Sequence, residues 1–167
     1  MIENFIDGVM QALQPTHLLA IAGLGLLTGQ GGRPRFALVA LTLGLLVGAY
    51  ALTFALRDPP AALVLLGIAA ASGLLVAAAW PLPVLTAALF AFAAGTALSL
   101  NAPPQAITLH GALASQAGTI LAALALFAVV AFIAARAREP WQRIGVRIVG
   151  AWIAASAILV LTLRLTR

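Results

Sequence analysis

The stretch "LQPTHLLAIAGLGLLTGQGG", residues 13–32, sets a histidine just after a proline, at the head of an apolar run that ends in glycines. His17 is one of two histidines, and His110 lies in the break "NAPPQAITLHG". A neutral imidazole suits nickel, zinc or copper. Gln14, His17 and Thr28 fall within about 60° of one another on a helical wheel at 100° per residue. Ser115, Gln116 and Thr119 form a second polar stripe. If the two stripes face each other across a bundle, they enclose a small polar cavity, and His17, His110 and Gln14 become candidate ligands for a cation entering there. The competing reading is that each histidine hydrogen-bonds a helix end or interfacial water. It has weight, because two histidines with no carboxylate nearby fall short of the three or four ligands such sites recruit.

Other chemistry is thinly represented. With no cysteine, thiolate metal sites and disulfides are excluded. There is no Walker loop, no Gly-x-Ser-x-Gly, no His-Glu-x-x-His and no haem attachment motif. The residues therefore argue against an enzyme, and no resident cofactor is implied.

The elements that must position these residues are membrane spans. Of 167 residues, 63% are hydrophobic and only 8% charged, whereas soluble domains carry about a quarter charged residues. Apolar runs near twenty residues recur along the chain, as expected of transmembrane helices. The expected fold is all-α: one polytopic domain over residues 1–167, a bundle of six spans at 9–28, 36–56, 61–79, 84–100, 112–135 and 147–163. Breaks rich in Pro, Gly or Arg separate them. Spans three and four, joined by a few residues, should form an antiparallel hairpin.

Orientation follows from the arginines, which are the only basic residues besides histidine. Arg33, Arg35, Arg136, Arg138, Arg143 and Arg147 fall on one side, against Arg57, Arg164 and Arg167 on the other. Positive residues favour the cytoplasm, so both termini should lie on the outer, periplasmic side of a cell inner membrane. The opening "MIENFIDGVMQ" has Glu3 and Asp7 and no basic residue, so no signal peptide is expected and the first helix should act as its own insertion signal. The net charge of +5 sits in the gaps between apolar runs, where membrane anchoring explains it better than nucleic acid does. Trp80 and Trp141 suit the headgroup layer. In the turn "RAREPWQRIG" the arginines could dock a soluble partner or anchor to anionic lipid. Small-residue spacings, Gly25 to Gly29, Gly44 to Gly48 and Ala69 to Gly73, point to helices packed backbone to backbone. The same Gly/Ala-rich faces could meet other membrane subunits.

Several segments resemble the HupE/UreJ family of hydrogenase and urease accessory membrane proteins. "QPTHLLAIAGLGLLTGQGG" is similar to the family's opening span in its His-Leu-Leu-Ala core and Gln-x-Gly-Gly ending. "GIAAASGLLVAAAWPLP" is similar to its third span, and "VRIVGAWIAASAILVL" to its closing helix. The resemblance implies a nickel or cobalt permease, with the metal as transported species. Of the family's ligand positions it keeps His17. The others fall on Met10, Thr16, Ala94, Leu98, Phe127 and, where the family has a glutamate, Asn101.

The resemblance adds Asn101 to His17, Gln14 and His110 as candidate metal ligands. Three functions remain open: a divergent permease of this type, a non-transporting structural subunit of a larger membrane complex, and a channel for a small neutral solute. The residues replaced are those whose burial costs most, and their substitutes are apolar or neutral, which keeps the packing while removing the ion path.

Overall fold

The computed structural model describes residues 2–32, 34–52, 61–80, 82–104 and 108–166. These form seven α-helices and no strand: α1 (Ile2–Ala12), α2 (Pro15–Gln30), α3 (Pro34–Leu52), α4 (Ala61–Ala77), α5 (Val84–Asn101), α6 (Leu109–Arg136) and α7 (Pro140–Leu165). Helices α3, α5, α6 and α7 are each long and apolar enough to cross a membrane. The apolar helix α4, at 17 residues, is shorter, and α1 with α2 makes a pair bent by 65°. The chain is a multi-pass membrane protein. Arg33, Arg57 and Arg167, counted above for orientation, lie outside the described residues, as does the end of the expected second span.

Three boundaries depart from the sequence expectations, each for a local reason. The expected first span, 9–28, is two helices. Pro15 opens α2 and Gln14 is extended, with φ −60° and ψ 144°. A proline restricts the residue before it to such conformations and cannot continue the preceding helix. The expected fifth span gains a turn at its start, because the Thr108 side chain caps α6 by accepting from the Gly111 N–H at 3.2 Å. This places His110 inside α6 instead of in the loop before it. The expected sixth span gains two turns, since Glu139 and Gln142 form a capping box around Pro140. Most of the "RAREPWQRIG" turn is therefore helix.

Helix α2 runs through the middle. Ala20, Ile21 and everything from Gly23 to Gly29 are buried. It packs between α4 and α6, while the main outer pairings are α3 with α5, α4 with α7 and α1 with α6. The expected hairpin of spans three and four corresponds to α4 and α5, which do touch, although each packs more extensively on another helix.

Small residues lie at these crossings. A Cβ at Gly44 would run into the Phe92 carbonyl oxygen, and one at Gly95 would lie 2.5 Å from the Leu41 oxygen, so α3 and α5 meet backbone to backbone. Gly8 and Gly118 do the same for α1 and α6, and Gly73 for α4 against α7. Lipid tails are as apolar as leucine, so association in a bilayer relies on such close contact.

These contacts separate two kinds of glycine. Gly44→Ala is expected to cost about 1–3 kcal/mol by forcing α3 and α5 apart. Gly67→Ala, where a Cβ meets nothing within 4 Å, should be neutral or stabilising by up to about 1 kcal/mol. Unfolding of the detergent-solubilised protein in graded denaturant compares the two.

Candidate functional site

The helix break created by Pro15 sets the last turn of α1 beside the first turn of α2, with Leu13, Gln14 and Pro15 exposed between them. Carbonyls in the last turn of a helix have no partner further along that helix, and the Gln11 carbonyl accepts from the Gln14 N–H in the turn at 3.2 Å. His17, the third residue of α2, gives it a second, shorter hydrogen bond. Its ring is fully buried, and Nδ1 lies 2.7 Å from the Gln11 carbonyl oxygen in the last turn of α1. The other ring nitrogen, Nε2, lies 2.9 Å from Asn101 Nδ2 at the end of α5.

The two contacts assign the tautomer. A carbonyl can only accept, so Nδ1–H donates to Gln11 and Nε2 keeps its lone pair, accepting from the Asn101 amide. One imidazole thus ties α1, α2 and α5 together. Two residues before Asn101, the buried Ser99 hydroxyl donates to the Leu45 carbonyl of α3 at 2.8 Å. It also accepts from Gln116 Nε2 of α6 at 3.3 Å. The Thr119 hydroxyl donates to the Gly8 carbonyl at 3.0 Å, close to the α1–α6 crossing.

Two acceptors are left over. The side-chain oxygens Gln11 Oε1 and Gln116 Oε1 are buried and have no hydrogen-bond partner among the described residues. The His17 imidazole and the Asn101 amide are in direct contact, and the Ser99 hydroxyl, two residues before Asn101, forms a second pair with the Gln116 amide; all of these groups are neutral. Among the described residues no group of three His, Asp or Glu side chains converges anywhere. Among the described residues the acidic ones at this end are Glu3 and Asp7, exposed on α1, and Arg164 lies at the same end in the last turn of α7.

Of the four candidate ligands, the structure brings together His17 and Asn101. Gln14 precedes α2, exposed, and its side chain makes no cap. His110 is exposed in the first turn of α6 and hydrogen-bonds no described residue. Thr28, placed on one stripe with His17, lies near the other end of α2 and bonds the Leu24 carbonyl of its own helix at 2.8 Å. The two polar stripes therefore do not enclose one cavity: Gln116 turns to α5 and Thr119 to α1. Gln11 and Ser99 join the cluster without having been singled out in the sequence. Gln11 carried a signal, lying just before the helix-breaking Gln-Pro. Ser99 had none, because a lone serine in an apolar span usually bonds its own helix.

No family model, curated protein or solved structure matches the chain. The positions that the resemblance to HupE/UreJ proteins assigns to metal ligands divide in two. His17 and Asn101 meet, with Thr16 half-buried beside them, whereas Ala94, Leu98 and Phe127 are buried in the apolar core and Met10 is exposed on α1.

The hydrogen bonds make His17 a structural residue whatever else it does. His17→Ala leaves the Asn101 amide without its imidazole partner and opens a cavity, and should cost about 2 kcal/mol. Asn101→Ala should cost about half as much. The double variant should be less destabilised than the sum, with a coupling of about 0.5–3 kcal/mol for residues in direct contact. A double-mutant cycle of denaturant midpoints measures it.

Proposed function

We propose that this chain is a divergent HupE/UreJ-like permease that admits a divalent first-row metal ion, nickel or cobalt, at the end of the bundle where α1 meets α2. The reading takes the bent α1–α2 pair as one span and α4 as a short one. That makes six spans, with both chain ends on the outer face of a cell inner membrane. A 17-residue helix is about 26 Å long, within the range that crosses a bilayer. Arg136, Arg138, Arg143 and Arg147 at the opposite end suit the cytoplasmic side.

The observation that carries the proposal is the state of His17. Metal-binding histidines almost always donate their second ring N–H to a carbonyl or carboxylate, which fixes the ring and the tautomer. His17 does this through Nδ1 to Gln11, so Nε2 presents its lone pair. The group occupying Nε2 is Asn101, the residue that the resemblance aligns with a family glutamate. Turning the Asn101 amide over would present its oxygen instead of its N–H. Gln11 Oε1 and Gln116 Oε1 are two further buried oxygens without a partner among the described residues, which a metal ion could recruit if those side chains turned towards His17. A donor set of one nitrogen and neutral oxygens holds a divalent ion weakly. That suits a transport site, where binding must permit both entry and release. Glu3 and Asp7, on the exposed surface of α1, would draw cations towards the entrance, against the opposing charge of Arg164 at the same end.

The second reading, a non-transporting subunit of a membrane complex, is favoured by the core beyond the cluster. Ala94, Leu98 and Phe127 are at most 2% exposed. Apolar side chains at those three positions leave a metal ion leaving His17 with no further ligand along that line.

Proteoliposomes loaded with a metal-sensitive dye test the two readings. The permease reading expects nickel- or cobalt-dependent quenching above that of protein-free vesicles, lost in His17→Ala. It also expects at least about tenfold tighter metal binding in Asn101→Glu, which restores a carboxylate beside the imidazole. Folded protein that passes no metal and gains nothing from Asn101→Glu supports the structural reading.

A further inference from the structure

At the end of the bundle opposite His17, a cavity of about 350 Å³ opens among the C-terminal ends of α2, α4 and α6 and the first turns of α7. Its lining includes Arg138, Arg143, Arg147 and Trp80. The Arg147 guanidinium is partly committed, since Nε donates to the Ala77 carbonyl at 2.8 Å and so caps α4. The Arg138 and Arg143 side chains have neither an ion pair nor a hydrogen bond among the described residues.

The charges that face the cavity can be weighed. Three helix C-termini contribute roughly half a negative charge each, and the N-terminus of α7 about half a positive one. The nearby carboxylate, Glu139, is held in the α7 capping box. Against this stand three guanidinium groups, so the cavity is net positive. Its volume would hold on the order of ten water molecules, enough for a phosphate group and part of its hydration.

A second feature adjoins it. A cleft of about 520 Å³, lined by Phe132, Ile133, Trp141, Gly145 and Val146, lies between α6 and α7 and shares Ala137 and Val146 with the basic cavity. Its walls are apolar and open on the outer surface of the helices. Arg136 stacks over the Phe132 ring, 4.1 Å from the centroid, at the rim. A positive cavity joined sideways to an apolar cleft at the end of membrane helices has the shape of an amphiphile with an anionic head.

We propose that the Arg138–Arg143–Arg147 cavity and the adjoining α6–α7 cleft form a binding site for an anionic phospholipid, its phosphate in the cavity and an acyl chain along the cleft. The site is independent of His17 and of any metal transport. A free phosphate compound would use the cavity but would leave the cleft empty, which is the reason for assigning a lipid. Arginine recognises phosphate through its planar pair of donors, and Trp80 and Trp141 sit where indole rings settle at a headgroup layer.

The full-length protein in phosphatidylcholine nanodiscs doped with phosphatidylglycerol tests the site, with retained lipid read by native mass spectrometry. Retention of phosphatidylglycerol over phosphatidylcholine is expected. Each basic residue near the surface contributes about fivefold, so R138Q/R143Q should weaken it roughly thirtyfold. Both side chains are exposed and unpartnered, so the fold should survive, and the melting temperature checks this. Arg35, exposed at the same end but outside the cavity, is the control for a diffuse field, and R35Q should leave retention unchanged. G145L fills the cleft where a Cβ meets nothing within 4 Å, and should reduce retention severalfold without touching a charge. Equal losses in R35Q and R143Q, no effect of G145L, or displacement of the lipid by soluble glycerol phosphate would each overturn the proposal.

Discussion

Backbone contact between helices is the constraint on which the rest of this structure depends. In water a bundle is held by burying apolar side chains, but a bilayer offers those side chains an equally apolar solvent. What remains is close packing, and it is strongest where no side chain separates two backbones. The pairs α1–α6, α3–α5 and α4–α7 all cross at a glycine whose missing Cβ is occupied by a backbone atom of the partner helix. The same glycines leave large residues such as Leu43, Leu46, Leu121 and Phe132 turned outwards. On a soluble protein that exposure would be a fault. Here it is the lipid-facing surface.

Close packing also explains why the polar cluster exists in its present form. Bringing α1 against α6 at Gly8 and Gly118 holds the last turn of α1, with Ala12 buried, beside the start of α2. Pro15 then prevents α1 from running on into α2. A buried imidazole with one donor and one acceptor is well matched to the result, because it satisfies a carbonyl on one side and an amide N–H on the other. The arrangement is stable without a metal and without a charge. It also leaves the Nε2 lone pair oriented towards Asn101, so the same side chain serves a structural need and offers a weak ligand.

Among the described residues most of the positive charge gathers at one end, in the arginines of the α6–α7 junction, while the end with the cluster carries Glu3, Asp7 and Arg164. At the arginine end Arg147 also caps α4, and Glu139 caps α7. The capping box makes that junction a short, well-defined corner, not a long polar loop. As a result its arginines line a cavity and are not spread over solvent.

Much of this was legible in the sequence, for reasons that are local or compositional. Apolar runs of the right length, broken by Pro, Gly and Arg, determine that the chain forms membrane helices, because no other use of such segments satisfies the backbone. Glycine spacing determines which faces can approach closely, and the residue types leave His17 as the one imidazole within an apolar span. Partner choice was mostly beyond its reach. Gly44 and Gly48 mark a packing face but do not say that α5 meets it, and Asn101, 84 residues from His17, is singled out by the family resemblance and by nothing in the local pattern. Gln14 and Thr28 share its side of a helical wheel, yet the Pro15 break turns Gln14 outwards and the length of α2 puts Thr28 at the far end. A helical wheel assumes one straight helix and knows nothing of its neighbours. Contacts such as these arise only when helices distant in sequence are brought within hydrogen-bond range, so the geometry of the polar cluster and the basic cavity was decided by the tertiary structure.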